Sequence, residues 1–284
     1  MKNSNQAEKA KIFLELHKKN EPLILPNIWD SIGARILEAN EYPAIATASA
    51  AVSASLGFED GEKIMLSTHL EVIKKIVKSV EVPVTADIEA GYSSSLLGLN
   101  EVIEQVIDAG VVGINIEDSL VKNIVLRSKE EQAERITAVR EVSNKKGIHL
   151  VINARVDSFL IKEKTSEDEK IEQTIDRAKD YIKAGADCIY PIGAKQKETL
   201  ITLRKNIKSP INVLSSPDAL SLKTLREIGI NRISFGPFIF RSLIKKFEKI
   251  IRELRELKSY ECFADEISSS EEINKYLIKD MGQS

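Results

Sequence analysis

The chain has 284 residues, 43% hydrophobic and 30% charged, enough to bury the core of one large domain of α/β-barrel size. A formal net charge of -2 gives no drive toward nucleic acid or anionic lipid, and no aromatic-basic stripe interrupts it, so no macromolecular substrate is assigned. The two cysteines, Cys188 and Cys262, have no metal-type spacing and agree with a reducing cytosol; residues 1–20 lack the apolar run of a signal peptide or spanning helix, so a soluble, cytoplasmic protein without a membrane partner is expected.

In chain order, residues 7–17 place Ile12, Phe13, Leu14 and Leu16 in a polar helical stretch, which predicts an amphipathic helix docked ahead of the main fold. Residues 23–26 predict a first strand, 31–39 a helix and 43–47 a second strand. The stretch 48–61, ASAAVSASLGFEDG, has no clean period and reads as a long loop. Ser67 is placed to cap a helix running to Val80.

Residues 82–119 carry the strongest pattern. Two short apolar runs rich in β-branched residues, 82–86 and 111–116, end directly in carboxylates and read as buried parallel strands. Between them Leu99, Val102, Ile103, Val106 and Ile107 recur at helical spacing, and Gly110 closes the helix. This βαβ unit delivers Asp87, Glu89, Glu117 and Asp118 to one end of a parallel sheet. Any one of these acids alone is explained as a solvated residue or a helix cap. Together they repel one another unless a cation neutralises them, and hard oxygen donors of this kind suit Mg2+ or Mn2+.

Residues 119–127 have no periodic pattern and predict a mobile rim loop that carries Lys122, Asn123 and Arg127. Helices follow at 129–146 and at 167–184, the second ended by Gly185, with a fifth strand at 149–154. Strands at 187–190, 211–214 and 232–235 alternate with helices at 196–206, 218–228 and 238–257. The alternation predicts a (β/α)8 TIM-type barrel over residues 1–258, including the N-terminal helix. An open doubly wound sheet is the alternative, although Pro26-Asn-Ile-Trp-Asp30 lacks the glycine-rich turn of a dinucleotide site. Residues 259–284 form a helical tail: Ser268-Ser-Ser-Glu-Glu272 has a helix-start pattern, and Ile273, Tyr276, Leu277 and Ile278 supply an apolar face that a partner subunit could cover.

A barrel active site lies at the C-terminal strand ends, which selects Asp87, Glu89, Glu117 and Arg155. Arg155, in Asn153-Ala-Arg-Val-Asp157, grips a substrate carboxylate or phosphonate bidentately, pairs internally with Glu117 or Asp157, or does both. Asp60, before Gly61, reads as a turn acid. Ser49, in Thr47-Ala-Ser-Ala50, offers a hydroxyl and nearby N–H groups to an anion, or simply permits tight packing. Cys188 reads as core, and His17, His69 and His149 form no pair with a nucleophile, so covalent catalysis is not supported.

The motifs LPNIWDSIGARILE, TASAAVSASLGFEDG, VTADIEAGY, GINIEDS, NARVD and RISFGPFIFR, in this order, resemble the isocitrate lyase and phosphoenolpyruvate mutase superfamily over roughly residues 23–257. The chain is similar to the short bacterial members named phosphonomutases, carboxyvinyl-carboxyphosphonate phosphorylmutases or 2-methylisocitrate lyases. The resemblance implies a Mg2+ ion, with Mn2+ as substitute, bound directly by Asp87 and joined by Asp60, Glu89 and Glu117 mainly through water. It implies that a small α-oxo or enol carboxylate is held by Thr47, Ser49, Ala50, Arg155 and Asn212, that Lys122 and Asn123 match the lysine and asparagine of the mutase loop, and that the chain forms helix-exchanging homodimers or homotetramers. One departure stands out. Isocitrate and methylisocitrate lyases carry Lys-(Lys/Arg)-Cys-Gly-His after the fourth strand, whereas residues 119–127 read SLVKNIVLR, with no cysteine or histidine. Mutase, hydrolase or decarboxylase chemistry is therefore expected ahead of lyase chemistry, with a catalytically silent carboxylate-binding barrel as the competing reading.

Overall fold

This computed structural model describes residues 2–120, 125–161, 165–256 and 267–277; Lys122, Asn123, Cys262 and Ile278 lie outside them. Helix α1 (Lys2–Leu16) buries Ala10, Phe13 and Leu16 against the core, as its apolar spacing predicts. Strands β1 (Leu23–Leu25) and β2 (Asn27–Ile28) are separated by Pro26, which has no N–H to give to a ladder. Helix α2 (Ser31–Ala39) starts at Asp30, whose carboxylate accepts from Gly33 N at 2.7 Å. Strand β3 (Ile45–Thr47), helices α3 (Ser49–Ser55) and α4 (Leu66–Ser79) and strand β4 (Val84–Asp87) lead to α5 (Leu96–Asp108) and β5 (Gly113–Glu117).

Two short strands, β6 (Ser119–Leu120) and β7 (Val125–Leu126), pair antiparallel, and α6 (Lys129–Lys145) follows. Beyond it lie β8 (Val151–Val156), a 3-10 turn at Ser158–Leu160, α7 (Glu167–Ala184), β9 (Cys188–Pro191), α8 (Lys197–Asn206) and β10 (Asn212–Leu214). The chain continues through α9 (Leu222–Ile228), β11 (Arg232–Ser234), α10 (Phe238–Arg255) and α11 (Ser270–Asn274).

Strands β2-β3-β4-β5-β8-β9 pair in that order in one parallel sheet, and β1-β11-β10 in another. The chain joins the two sheets through Pro26, and a parallel bridge between Ile189 and Ile211 joins them again on the other side. The result is a mixed α/β architecture of parallel strands alternating with helices. Strand residues Ile114, Ile116, Ile152 and Ala154 are buried, as a parallel sheet covered on both faces requires. The interior also holds a polar layer, in which Asn153 Nδ2 donates to Asn115 Oδ1 at 2.8 Å.

Four elements differ from expectation. Residues 49–55 of the predicted loop are helical in α3, because Ala and Ser suit a helix while seven residues of such uniform size show no period. Helix α4 begins one residue before Ser67, at a Met65 cap position with no side-chain cap bond. Helix α9 starts only at Leu222, where Ser221 Oγ accepts from Thr224 N at 3.1 Å. The predicted patternless loop, 119–127, itself contains the two strands of the β6/β7 ladder.

Helix α10 also departs from its expected role. Helix α10 buries none of its residues; Leu243, Ile244, Phe247 and Ile251 stay exposed, Phe247 by 60%. Near its start Phe240 meets Trp29 edge-on at 5.0 Å. In the tail, α11 starts within the predicted helix-start pattern, with a capping box between Ser269 and Glu272. Arg35 donates to the carbonyls of Tyr276 and, at 2.9 Å, Ser79, so the tail lies on α2 and the end of α4 of its own chain, with Ile273 and Leu277 still exposed. Among the described residues no helix is long and apolar enough to cross a membrane.

Candidate active site

Parallel register brings the predicted residues together. Asp87 pairs with Asn115, and Glu117 with Arg155, so β4, β5 and β8 end side by side. The Asp87 backbone N–H donates to Thr47 Oγ1 at 3.1 Å, and the Ser49 hydroxyl donates to Asp87 Oδ2 at 2.9 Å. Thr47 and Ser49 thus fix Asp87 from the β3 side, while Ala50 is half-buried beside them.

After Asp87 the chain turns sharply. Glu89 and Tyr92 adopt φ of 54° and 53°, a left-handed conformation that costs a non-glycine residue on the order of 1 kcal/mol or more. Glu62 holds both: its N–H donates to Glu89 Oε2 at 2.6 Å, and its Oε1 accepts from Tyr92 N at 2.7 Å. The Tyr92 hydroxyl donates to Glu89 Oε1 at 3.3 Å and lies 2.9 Å from His69 Nδ1. Glu62 and Tyr92 were not expected at the site. Glu62 is one acid in the run Glu59-Asp60-Gly61-Glu62, and nothing local distinguishes it.

Arg155 makes the internal ion pairs that were one of its two readings. Nη1 lies 2.5 Å from Glu117 Oε2, and Nε and Nη2 donate to Asp157 at 2.7 and 3.1 Å. The Ser119 hydroxyl braces Asp157 at 2.6 Å. Burial works against the Arg155 charge, yet the Glu117 and Asp157 carboxylates raise its pKa further. Asn212 is wholly buried on β10, and neither its Oδ1 nor its Nδ2 has a hydrogen-bond partner.

Asp118 departs from the expected rim cluster. It is wholly buried on the opposite side of the strand end, bonded to Arg177 Nη1 at 3.1 Å and the Tyr181 hydroxyl at 2.8 Å, and it anchors α7. Of the remaining acids, Asp60, Glu89 and Glu117 are shifted upward. Burial, then the charges of Asp60 and Asp87, push Glu89 up to about 8. Partial desolvation and Asp87 push up Asp60, which sits on the exposed loop after α3. Burial pushes Glu117 upward, with Arg155 opposing and Asp157, Asp87 and Glu89 adding repulsion.

These three carboxylates, pushed upward beside Asp87, match a divalent cation in kind, since hard oxygens suit Mg2+ or Mn2+. Each carboxylate of Asp87, Glu89 and Glu117 is engaged by a protein donor, and among the described residues no group of three or more acidic, histidine or cysteine side chains is arranged so that it could hold a metal ion. Cys188 is buried, its thiol pushed up to about 12 by burial, as a core residue. His17 pairs with the Phe13 carbonyl and His149 with Asp187, both away from the acids, while His69 reaches the site only through the Tyr92 hydroxyl.

Comparison with known proteins bears on the fold and the family. A crystal structure from Burkholderia cenocepacia J2315, provisionally described as a phosphonomutase, is 35% identical, with a TM-score of 0.83 over 86% of this chain and 99% of that one. The 2-methylisocitrate lyase of Halalkalibacterium halodurans is 24% identical over 97% of this chain and 92% of its own length. A phosphonopyruvate hydrolase complexed with oxalate and Mg2+ shares the fold at 21% identity, with a TM-score of 0.80 over 94% of each chain. The family profile of phosphoenolpyruvate phosphomutase matches residues 13–255. The chain therefore belongs to the phosphoenolpyruvate mutase family, within the isocitrate lyase/phosphoenolpyruvate mutase superfamily of mutases and lyases.

Proposed function

We propose that the chain is a Mg2+-dependent enzyme, with Mn2+ able to substitute, that acts on a small α-keto or enol carboxylate through an enolpyruvate-type intermediate. The chemistry is phosphonomutase-like cleavage or migration of a phosphorus-carbon or carbon-carbon bond. The observation that carries this reading is the crowding of Asp60, Asp87, Glu89 and Glu117 opposite Arg155, where burial and mutual repulsion push Asp60, Glu89 and Glu117 upward. Asp87, with Asp60, Glu89 and Glu117, would hold the metal. A bound Mg2+ supplies positive charge beside the oxyanion that develops on the substrate.

The protein's own groups do the rest. Arg155 is oriented by Asp157 and Ser119, so its planar guanidinium is preset for a carboxylate or phosphonate. Ser49, with Thr47 and Ala50, lines the opposite side, and the unpaired Asn212 amide supplies a further donor and acceptor. Lys122 and Asn123, which the resemblance matches to the mutase loop, lie outside the described residues. Cysteine-dependent lyase chemistry has no support: among the described residues Cys188 is the free thiol, and it is buried.

The same reading includes the architecture. The two sheets form a closed (β/α)8 barrel over residues 1–258, with 259–284 as a tail, in a cytoplasmic homodimer or homotetramer. Support comes from the Pro26 junction, the Ile189–Ile211 bridge and the uncovered α10, which is placed to pack on a second copy.

Phosphoenolpyruvate, phosphonopyruvate, oxaloacetate and 2-methylisocitrate, each supplied with Mg2+ and followed by 31P NMR and pyruvate release, test the proposal. EDTA-sensitive turnover of at least one is expected, and Asp87→Ala should abolish it while keeping the native circular dichroism spectrum. Mg2+-dependent oxalate binding beside flat assays on a wider panel would instead favour a silent carboxylate-binding barrel.

A further inference from the structure

A second charged group in the interior has no part in the site described so far. Arg232 begins β11, is wholly buried, and has no ion-pair partner among the described residues. Its contacts are neutral. Nη2 donates to Asn115 Oδ1 at 3.2 Å, Nη1 lies 3.5 Å from His17 Nε2, the guanidinium stands 5.9 Å over the Phe13 ring, and Nε has no hydrogen-bond partner.

The titratable neighbours supply no hidden counter-charge. Burial and then Arg232 itself hold His17 down to about 4, so its Nδ1–H donates to the Phe13 carbonyl and its Nε2 lone pair faces Arg232. Burial pushes the Cys188 thiol and the Tyr190 phenol up to about 12 each, which leaves both uncharged at neutral pH. Asp187 is already taken by Arg140 at 2.6 Å and His149 at 2.8 Å.

A buried cation without a partner is expensive, so its charge has to be balanced nearby. Asn115, which accepts from Arg232, is the register partner of Asp87. The guanidinium therefore lies one side chain beneath the crowded acids, and Asp87 acts on it electrostatically.

We propose that Arg232 is an electrostatic positioning residue of the carboxylate site, a fixed positive charge under the acids that favours substrate anions and opposes metal cations. This rests on the site proposed above. A unit charge roughly 10 Å from a doubly charged ion, at an effective dielectric of about 40 for a site open to water, changes that ion's affinity about tenfold. Its sign is opposite for anion and cation. Loosened packing weakens both ligands together, whereas loss of this charge weakens one and tightens the other.

The test uses the full-length protein and three variants. Arg232→Met removes the charge, Arg232→Lys keeps it, and His17→Glu keeps the guanidinium but gives it a local counter-ion. Mn2+ affinity is measured by calorimetry, and oxalate affinity by calorimetry at saturating Mn2+. Arg232→Met and His17→Glu should each weaken oxalate about tenfold and tighten Mn2+ several-fold, while Arg232→Lys stays within about threefold of wild type for both. If Arg232→Met does not fold, His17→Glu alone carries the test. Unchanged affinities, or weakening of both ligands together, overturn the role of Arg232 but leave the site standing. A wild-type protein that takes up neither Mn2+ nor oxalate overturns both.

Discussion

Glu117 and Asp118 are adjacent in sequence, yet one faces Arg155 and the other is sealed against Arg177 and Tyr181. Side chains alternate along a strand, so two successive acids cannot serve the same face. That rule would have removed Asp118 from the expected cluster. Asp87, Glu117 and Arg155 were legible because parallel strands end on one side. Glu62 and Tyr92 were not, because what places them is a left-handed backbone turn at Glu89 with no local marker. His17 yields a residue-scale prediction. Its folded pKa, lowered to about 4, lies below the ordinary value of 6.5, so the stability it contributes is present above pH 6.5 and is lost as pH falls toward 4. Between pH 7 and 4.5 the loss is about 2 to 3 kcal/mol. Urea titrations should show His17→Gln with a shallower acid-side decline than the wild type over that interval.

Elements with strong end signals were read closely. Helix α7 has the expected bounds because Ser166 and Glu169 form a capping box and Gly185, at φ 113°, ends it. Helix α3 escaped because a run of Ala and Ser has no hydrophobic period to detect. Contacts between elements were beyond reach of any local pattern. Gly113, which opens β5, lies so close to α1 that an added Cβ would meet Phe13 Cε1 at 2.6 Å and Thr85 Oγ1 at 2.9 Å. Gly113→Ala should therefore cost about 1 to 3 kcal/mol by overpacking. A Phe13→Leu second substitution should recover part of that loss in the urea midpoint. If Gly113→Ala is neutral, α1 is not seated as described.

On the scale of the whole molecule, the alternation of strands and helices was legible, but the partner of α10 was not, because amphipathicity shows that a helix has an apolar face and not what covers it. Self-association was expected from the tail. The larger uncovered face belongs to α10, with Leu243, Ile244, Phe247 and Ile251. Leu243→Asp combined with Phe247→Asp should lower the mass seen by light scattering at micromolar concentration, more than deletion of residues 259–284 does; an unchanged mass would exclude α10 as the interface. The junction at Pro26 also bears on how the protein is made. Strand β1 pairs with β11, Leu23 against Arg232, so a segment near the start of the chain waits for one near its end. Such distant pairing forms slowly, and until then β1 and β10 present bare edges to other nascent chains. A ribosome that stops before β11 thus releases an open sheet prone to aggregate, which makes the last strand a checkpoint of synthesis as well as a wall of the fold.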